Sequence, residues 1–115
     1  MALSANISSA FFIYCTSDAA ETKTITNPGR AFRITGVKAF NPSNTGQLTV
    51  KDAAGNDIVA AANTANGAWK DMVIATAHCE ITSGENIQIV TAANGPSQII
   101  LECVATGAGQ ALSVT

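Results

Sequence analysis

"AFRITGVKAFNPSNTGQLTVKDAAGNDIV", residues 31–59, holds three strand-like runs in succession. In 31–41, Phe32 and Ile34 share one phase of a two-residue alternation, and Val37 and Ala39 share the other. The flip falls at Gly36, which predicts a β-bulge or a bend there. Asn41–Gly46 is rich in Asn, Pro, Ser and Gly and reads as a loop. In 47–59, Leu48 and Val50 point one way while Gln47, Thr49 and Lys51 point the other. A polar break at 52–57 follows, and Ile58-Val59 resumes the apolar run. That is a β-hairpin pattern, so the strands are antiparallel.

The same grammar extends in both directions. Upstream, "FFIYCTS" (11–17) puts Phe11, Ile13 and Cys15 on one face, "ETKTIT" (21–26) is a more exposed Thr-rich strand, and "NPGR" (27–30) is a turn. Downstream, 60–68 reads as a loop, because Asn-Thr and Asn-Gly interrupt its alanines. "WKDMVIA" (69–75) is a strand in which Lys70, Met72 and Ile74 oppose Trp69, Asp71 and Val73. Residues 79–92 contain a short run, a Ser-Gly-Glu-Asn turn, and Ile87 and Ile89 in phase. "NGPS" (94–97) turns, and "QIILECVA" (98–105) sends Ile99, Leu101 and Cys103 inward, with Gln98 and Glu102 outward. "GAGQ" (107–110) turns again, and 111–114 is a last short strand.

About eight strands, punctuated every 8–12 residues and without a convincing helix, describe an all-β fold. An antiparallel β-sandwich of jelly-roll-like topology suits that number. A seven-stranded immunoglobulin-like sandwich is the alternative, although Cys15, Trp69 and Cys103 are spaced too far apart to match its Cys…Trp…Cys marker. The small, polar residues 1–10 form an extended N-terminal arm, and 11–115 form a single domain.

Composition narrows the function classes. Of 115 residues, 47% are hydrophobic, enough for a core without disulfides. Only 12% are charged, about half the share of an ordinary soluble domain. The net charge of −2 carries no basic footprint for nucleic acid. Phe11–Cys15 is too short an apolar run for a signal peptide or a membrane span. Three cysteines, Cys15, Cys79 and Cys103, lack zinc-like pairing and read as buried, reduced thiols.

Few residues invite chemistry. Asp52, Asn56 and Asp57 offer oxygen ligands but lack the alternating order of a calcium loop. A turn accounts for them, with Gly55 and Asn56 tolerating positive φ and Asp52 bonding to backbone N–H groups. "AHCE" (77–80) contains the single histidine. On a strand only His78 and Glu80 would share a face, which completes neither a metal site nor a Cys–His pair. No cofactor motif is present, and an enzyme is not expected. Trp69 begins a strand, where a core or interface position is the ordinary reading and a sugar-stacking surface the other. Most of the six aromatics are expected to alternate inward.

The segments "AFRITGVKAFN…GQLTVKDAAGNDIV" and "CEITSGENIQIVTAANGPSQIILECVATG" together resemble the small, jelly-roll-like β-sandwich accessory proteins of tailed bacteriophage virions. The likeness runs over about residues 31–105, in the strand spacing, the Gly-Asn hairpin and the "ITSGENIQIV" strand entry. The resemblance implies no catalysis, no cofactor and a location in the virion. It implies attachment to the major capsid protein or another virion protein as decoration or cement, commonly as a homotrimer. Leu3 and Ile7 of the arm and Trp69 are the candidate partner-binding residues. The alternative is a carbohydrate-binding module, with Trp69 and the loops 41–46 and 60–68 forming its site. Neither nucleic acid nor membrane is expected as a partner.

Overall fold

A computed structural model describes residues 10–17, 20–42, 46–92, 98–106 and 113–114. Apart from Ala10, the arm with Leu3 and Ile7 lies outside them, as do the turns read at 94–97 and 107–110. The described strands are β1 (Ala10–Thr16), β2 (Glu21–Thr26), β3 (Phe32–Asn41), β4 (Gln47–Lys51), β5 (Asp57–Asn63), β6 (Ala68–Met72), β7 (Glu80–Ile81), β8 (Ile87–Thr91), β9 (Gln98–Ala105) and β10 (Ser113–Val114).

They build two antiparallel five-stranded sheets. The first runs β1-β9-β3-β6, with β7 also on β3; the second runs β10-β2-β8-β4-β5. Without the two-residue strands β7 and β10, the chain visits four strands in each sheet. That order, 1-9-3-6 over 2-8-4-5, is a jelly roll. The core lies between the sheets. Phe32, Ile34, Leu101 and Ile99 come from the first, and Ile25, Leu48, Ile87 and Ile89 from the second, all at 0–1% exposure. Alternation supplies this directly, because every second side chain of each strand faces the opposite sheet.

The phase flip in β3 is a bulge. Ile34 faces Cys103 and Gly36 faces Glu102, so two β3 residues span one step of β9. Phe32, Ile34, Val37 and Ala39 are consequently all buried. The Asn27–Arg30 turn is closed by the Asn27 side chain, which accepts from the N–H groups of Gly29 and Arg30 at 3.3 and 2.7 Å.

Four readings need correction. Residues 60–63 are strand, not loop. The β4 ladder supplies backbone partners, pairing Leu48 with Ala62 and Gln47 with Asn63, and a register shift between Leu48 and Val50 absorbs the extra residue. β6 stops at Met72, after which the chain crosses to the second sheet and Ala75 N–H donates to Ile58 O at 2.8 Å. Thr76–His78 is a single 3-10 turn, not strand, so strand alternation does not govern His78 and Glu80. The aromatics are mostly not inward: Phe32 is buried, Phe11 and Phe40 are half-buried, and Phe12, Tyr14 and Trp69 are exposed.

Candidate functional site

Burial of one phase commits the other to solvent. In β1, Ile13 and Cys15 face the core, so Phe12 and Tyr14 stand on the outer face at 71% and 53% exposure. In β6, Met72 faces the core, which turns Trp69 outward at 45% exposure, against the ordinary expectation of a core tryptophan. The ladders align these residues in rows. Tyr14 lies beside Ile100, Ile100 beside Lys38, and Lys38 beside Asp71. In the next row Thr16 lies beside Gln98, Gln98 beside Phe40, and Phe40 beside Trp69. The Phe40 and Trp69 rings touch, with centroids 5.4 Å apart.

Two shallow grooves adjoin on this face. One, of about 300 Å³, lies among Phe12, Tyr14, Lys38, Ile100 and Glu102. The other, of about 270 Å³, is bounded by Thr35, Gly36, Lys38, Asp71, Ile74 and Glu102. Lys38 and Glu102 border both. Lys38 Nζ is 2.9 Å from Asp71 Oδ1. That hydrogen bond, the charge of Asp71 and then the charge of Glu102 hold the ammonium above its usual pKa. The Glu102 side chain lies over Gly36, where a Cβ would meet Oε1 at 2.5 Å. The bulge glycine thus makes room for a carboxylate on the sheet surface. A third hollow, of about 300 Å³, opens between the edge strands β5 and β6 and is lined by Ala60, Ala62, Met72, Val73 and Ile74. Lys70 Nζ ties its two sides by donating to Asn63 O at 2.8 Å.

The residues that suggested metal or nucleophilic chemistry are occupied in structural work. Asp52 is buried and closes its own turn: Oδ1 accepts from Asn56 N–H at 2.8 Å, and Oδ2 from the Asn56 side-chain amide at 3.2 Å. Gly55 takes φ of 89° at the tip. Desolvation pushes the Asp52 carboxyl up. Hydrogen bonds from Asn56 and Ala54, with a smaller pull from His78, outweigh it and hold the carboxyl below its usual range. Asp57 pairs with Lys51 at 2.7 Å. Cys79 Sγ donates to Ala75 O at 3.3 Å, and Glu80 pairs with Arg33. Among the described residues, no group of three or more His, Cys, Asp or Glu is placed to hold a metal ion. All three thiols are free and buried. Burial, and then the charge of Glu102, push Cys103 up to about 12.

Sequence reasoning proposed Trp69, and the structure puts it on this face. It missed Phe12, Tyr14, Ile100 and Glu102. Their signal was available in the outward phase of β1 and β9, once Ile13, Cys15, Ile99 and Leu101 were assigned inward.

No family model matches the chain, and no curated protein matches it. Solved structures do. The nucleoplasmin-like N-terminal domain of Drosophila FKBP39 is 18% identical, covers 90% of this chain and 97% of its own, and superposes with a TM-score of 0.51. A chain from the capsid of Ralstonia phage GP4 is 14% identical over 86% of this chain and 84% of its own, also with a TM-score of 0.51. The C-terminal domain of the sugar-binding protein EclA is 14% identical over 94% and 79%, with a TM-score of 0.38, too low to carry an argument. What the chain shares with the first two is the all-β sandwich.

Proposed function

We propose that the protein is a non-enzymatic structural protein of a virion, decorating or cementing the capsid lattice as a homotrimer. The observation that carries this reading is the outer face of the first sheet, where Phe12, Tyr14 and Trp69 are exposed although the core is closed without them. Exposed aromatics gathered on one face suit contact with another protein. The fold shared with a chain of a phage capsid supports the reading as an analogy of architecture. Edge strand β1 carries no charged residue and edge strand β5 only Asp57, so neighbouring subunits are the cover proposed for them. Leu3 and Ile7 of the arm reach the lattice in this proposal, and Trp69 contributes from the sheet face.

The test is solution mass together with co-sedimentation on undecorated capsids. A trimer that pellets with particles supports the reading. Deleting residues 2–9 should weaken pelleting and leave the fold intact, since the described core draws on residues from Ile13 to Cys103. A monomer that ignores capsids overturns the proposal. The second reading, a carbohydrate-binding module, rests on the exposed Trp69 ring beside Phe40, a platform on which a sugar ring can stack. Glycan-array binding abolished by Trp69→Ala would favour it.

A further inference from the structure

We propose that the groove among Phe12, Tyr14, Ile100, Lys38 and Glu102 receives an arginine side chain from a protein other than this chain. This rests on the reading that the outer face of the first sheet meets another protein, and names the chemistry it meets there.

Charge is the first argument. Among the described residues, no hydrogen bond or ion pair reaches the Glu102 carboxylate, whereas Glu21, Asp57, Asp71 and Glu80 each hold a cation within 3.3 Å. Lys38, the neighbouring cation, is bound to Asp71. The outer face therefore presents one carboxylate that makes no ion pair, seated over Gly36 between two grooves and sensed by the Lys38 ammonium only at longer range. A cation is its complement.

That cation is not readily supplied by a second copy. The chain has six Lys and Arg side chains, and four of them already hold a carboxylate. Lys23 holds Glu21, Arg33 holds Glu80, Lys38 holds Asp71 and Lys51 holds Asp57. Arg30 lies over the Phe11 ring and Lys70 donates to Asn63 O. The four paired cations would have to abandon a carboxylate to reach another copy's Glu102, Lys70 its carbonyl, and Arg30 its place over the ring, with its Nε buried.

The walls select arginine. Phe12 and Tyr14 are exposed rings on the same strand face, and Ile100 lies beside Tyr14. A guanidinium stacks on an aromatic face while presenting paired N–H groups to a carboxylate, and its methylenes lie on aliphatic surface. A lysine ammonium gains less from the rings. A sugar asks for donors and acceptors around its rim. Here only the Tyr14 hydroxyl both donates and accepts, the carboxylate only accepts, and the ammonium beside it already holds Asp71.

The experiment uses the full chain, isotope-labelled, titrated with the blocked peptide Gly-Leu-Arg-Leu-Gly and with its citrulline counterpart, which keeps the shape and removes the charge. The arginine peptide should shift the resonances of Phe12, Tyr14, Ile100 and Glu102. Replacing arginine by citrulline, or Glu102 by Gln in the protein, should weaken binding by about tenfold or more. An unchanged urea unfolding curve for Glu102→Gln shows that the fold is intact. Equal binding of the citrulline peptide, an unaffected Glu102→Gln variant, or shifts absent from this groove overturn the proposal. Tighter seating of cellohexaose in the groove replaces it with a glycan site. Concentration-dependent shifts of this face with a rise in mass replace it with self-association. Capsid co-sedimentation separates this inference from the function it rests on. If the chain ignores capsids while the arginine peptide seats, the virion reading falls and the groove stands. If wild type and Glu102→Gln pellet alike without charge-dependent peptide binding, the reverse holds.

Discussion

The two sheets share one core and show solvent two different faces. Outside the second sheet, Thr22 lies beside Val90, Thr24 beside Gln88, Thr49 beside Val90, and Lys51 beside Gln88 and Asp57. Threonine and other polar residues dominate, and the Lys51–Asp57 pair closes locally at 2.7 Å. Outside the first sheet Phe12, Tyr14, Ile100, Phe40 and Trp69 stand among Thr16, Gln98, Lys38 and Asp71, with Glu102 making no ion pair among the described residues. The inner faces do not differ in this way; each is a run of buried apolar residues. The second sheet thus shows what folding asks of an outer face: β-forming side chains that tolerate water. The aromatic surplus on the first sheet goes beyond that demand, and the contact with another protein proposed above would account for it.

The sharpest way to break this comparison is to cut the same chemistry from inside and outside. Phe32 is fully buried, so Phe32→Ala should cost about 3–5 kcal/mol, the sum of lost transfer energy and a residual cavity. Denaturant unfolding reads it. A cost near that of an exposed-site substitution would mean that the Phe32 position collapses freely and the sheets are not tightly packed there. The thiols report the same interior. With Cys103 buried and pushed up to about 12, a polar thiol reagent should label it no faster than the protein opens.

The two sheets also treat carboxylates differently, and Asp52, in the hairpin of the second sheet, tests that. Asp52→Ala should cost about 1–3 kcal/mol at neutral pH, because it strands the Asn56 N–H that the carboxylate accepts. The sign of the pH dependence follows from the direction of the shift. The folded carboxyl sits below its unfolded value, so its stabilisation is present above about pH 4 and is lost as pH falls through the folded value. The gap between wild type and Asp52→Ala should therefore narrow in acid. EDTA should leave the melting temperature of wild type unchanged; a fall would make the turn a cation site. Glu102→Gln, by contrast, should leave stability nearly unaltered, because no internal bond among the described residues depends on that carboxylate.

Strand phase was the legible part of the chain. The flip at Gly36 and the inward sets of β1, β8 and β9 follow from alternation alone, and the sandwich follows from them. Register was the illegible part. The alanines at 60–62 carry weak strand preference, and only pairing with β4 makes them β5. Trp69 reads as a core residue until β6 is seen to be an edge strand whose core position is Met72. The site was hidden for the same reason. Phe12 and Tyr14 lie far in sequence from Lys38, and no local pattern says that β9 brings Ile100 and Glu102 between them. The Asp52 turn, a short-range motif, was readable because all its partners lie within four residues.

The smallest expected effect on stability is the most informative about role. Phe12→Thr with Tyr14→Thr rewrites the outer face of β1 in the residue type that the second sheet uses at Thr22 and Thr24. Threonine keeps the β preference, and the removed rings are already more than half exposed, so little burial is lost. What disappears within the chain is the cross-strand contact of Phe12 with Glu102 and of Tyr14 with Ile100, worth about 0.2–1 kcal/mol each. The double variant should thus unfold within about 1–2 kcal/mol of wild type. If the aromatics serve a partner, it should bind capsids and the arginine peptide far more weakly, because the anchors of an interface carry most of its energy. The measurement is an unfolding curve beside co-sedimentation and peptide titration on the same preparation. A loss of several kcal/mol would show that the rings hold the sheet together and that the two outer faces differ for structural reasons. Unchanged stability with unchanged attachment would leave the aromatic face without a partner and move the search to the hollow between β5 and β6.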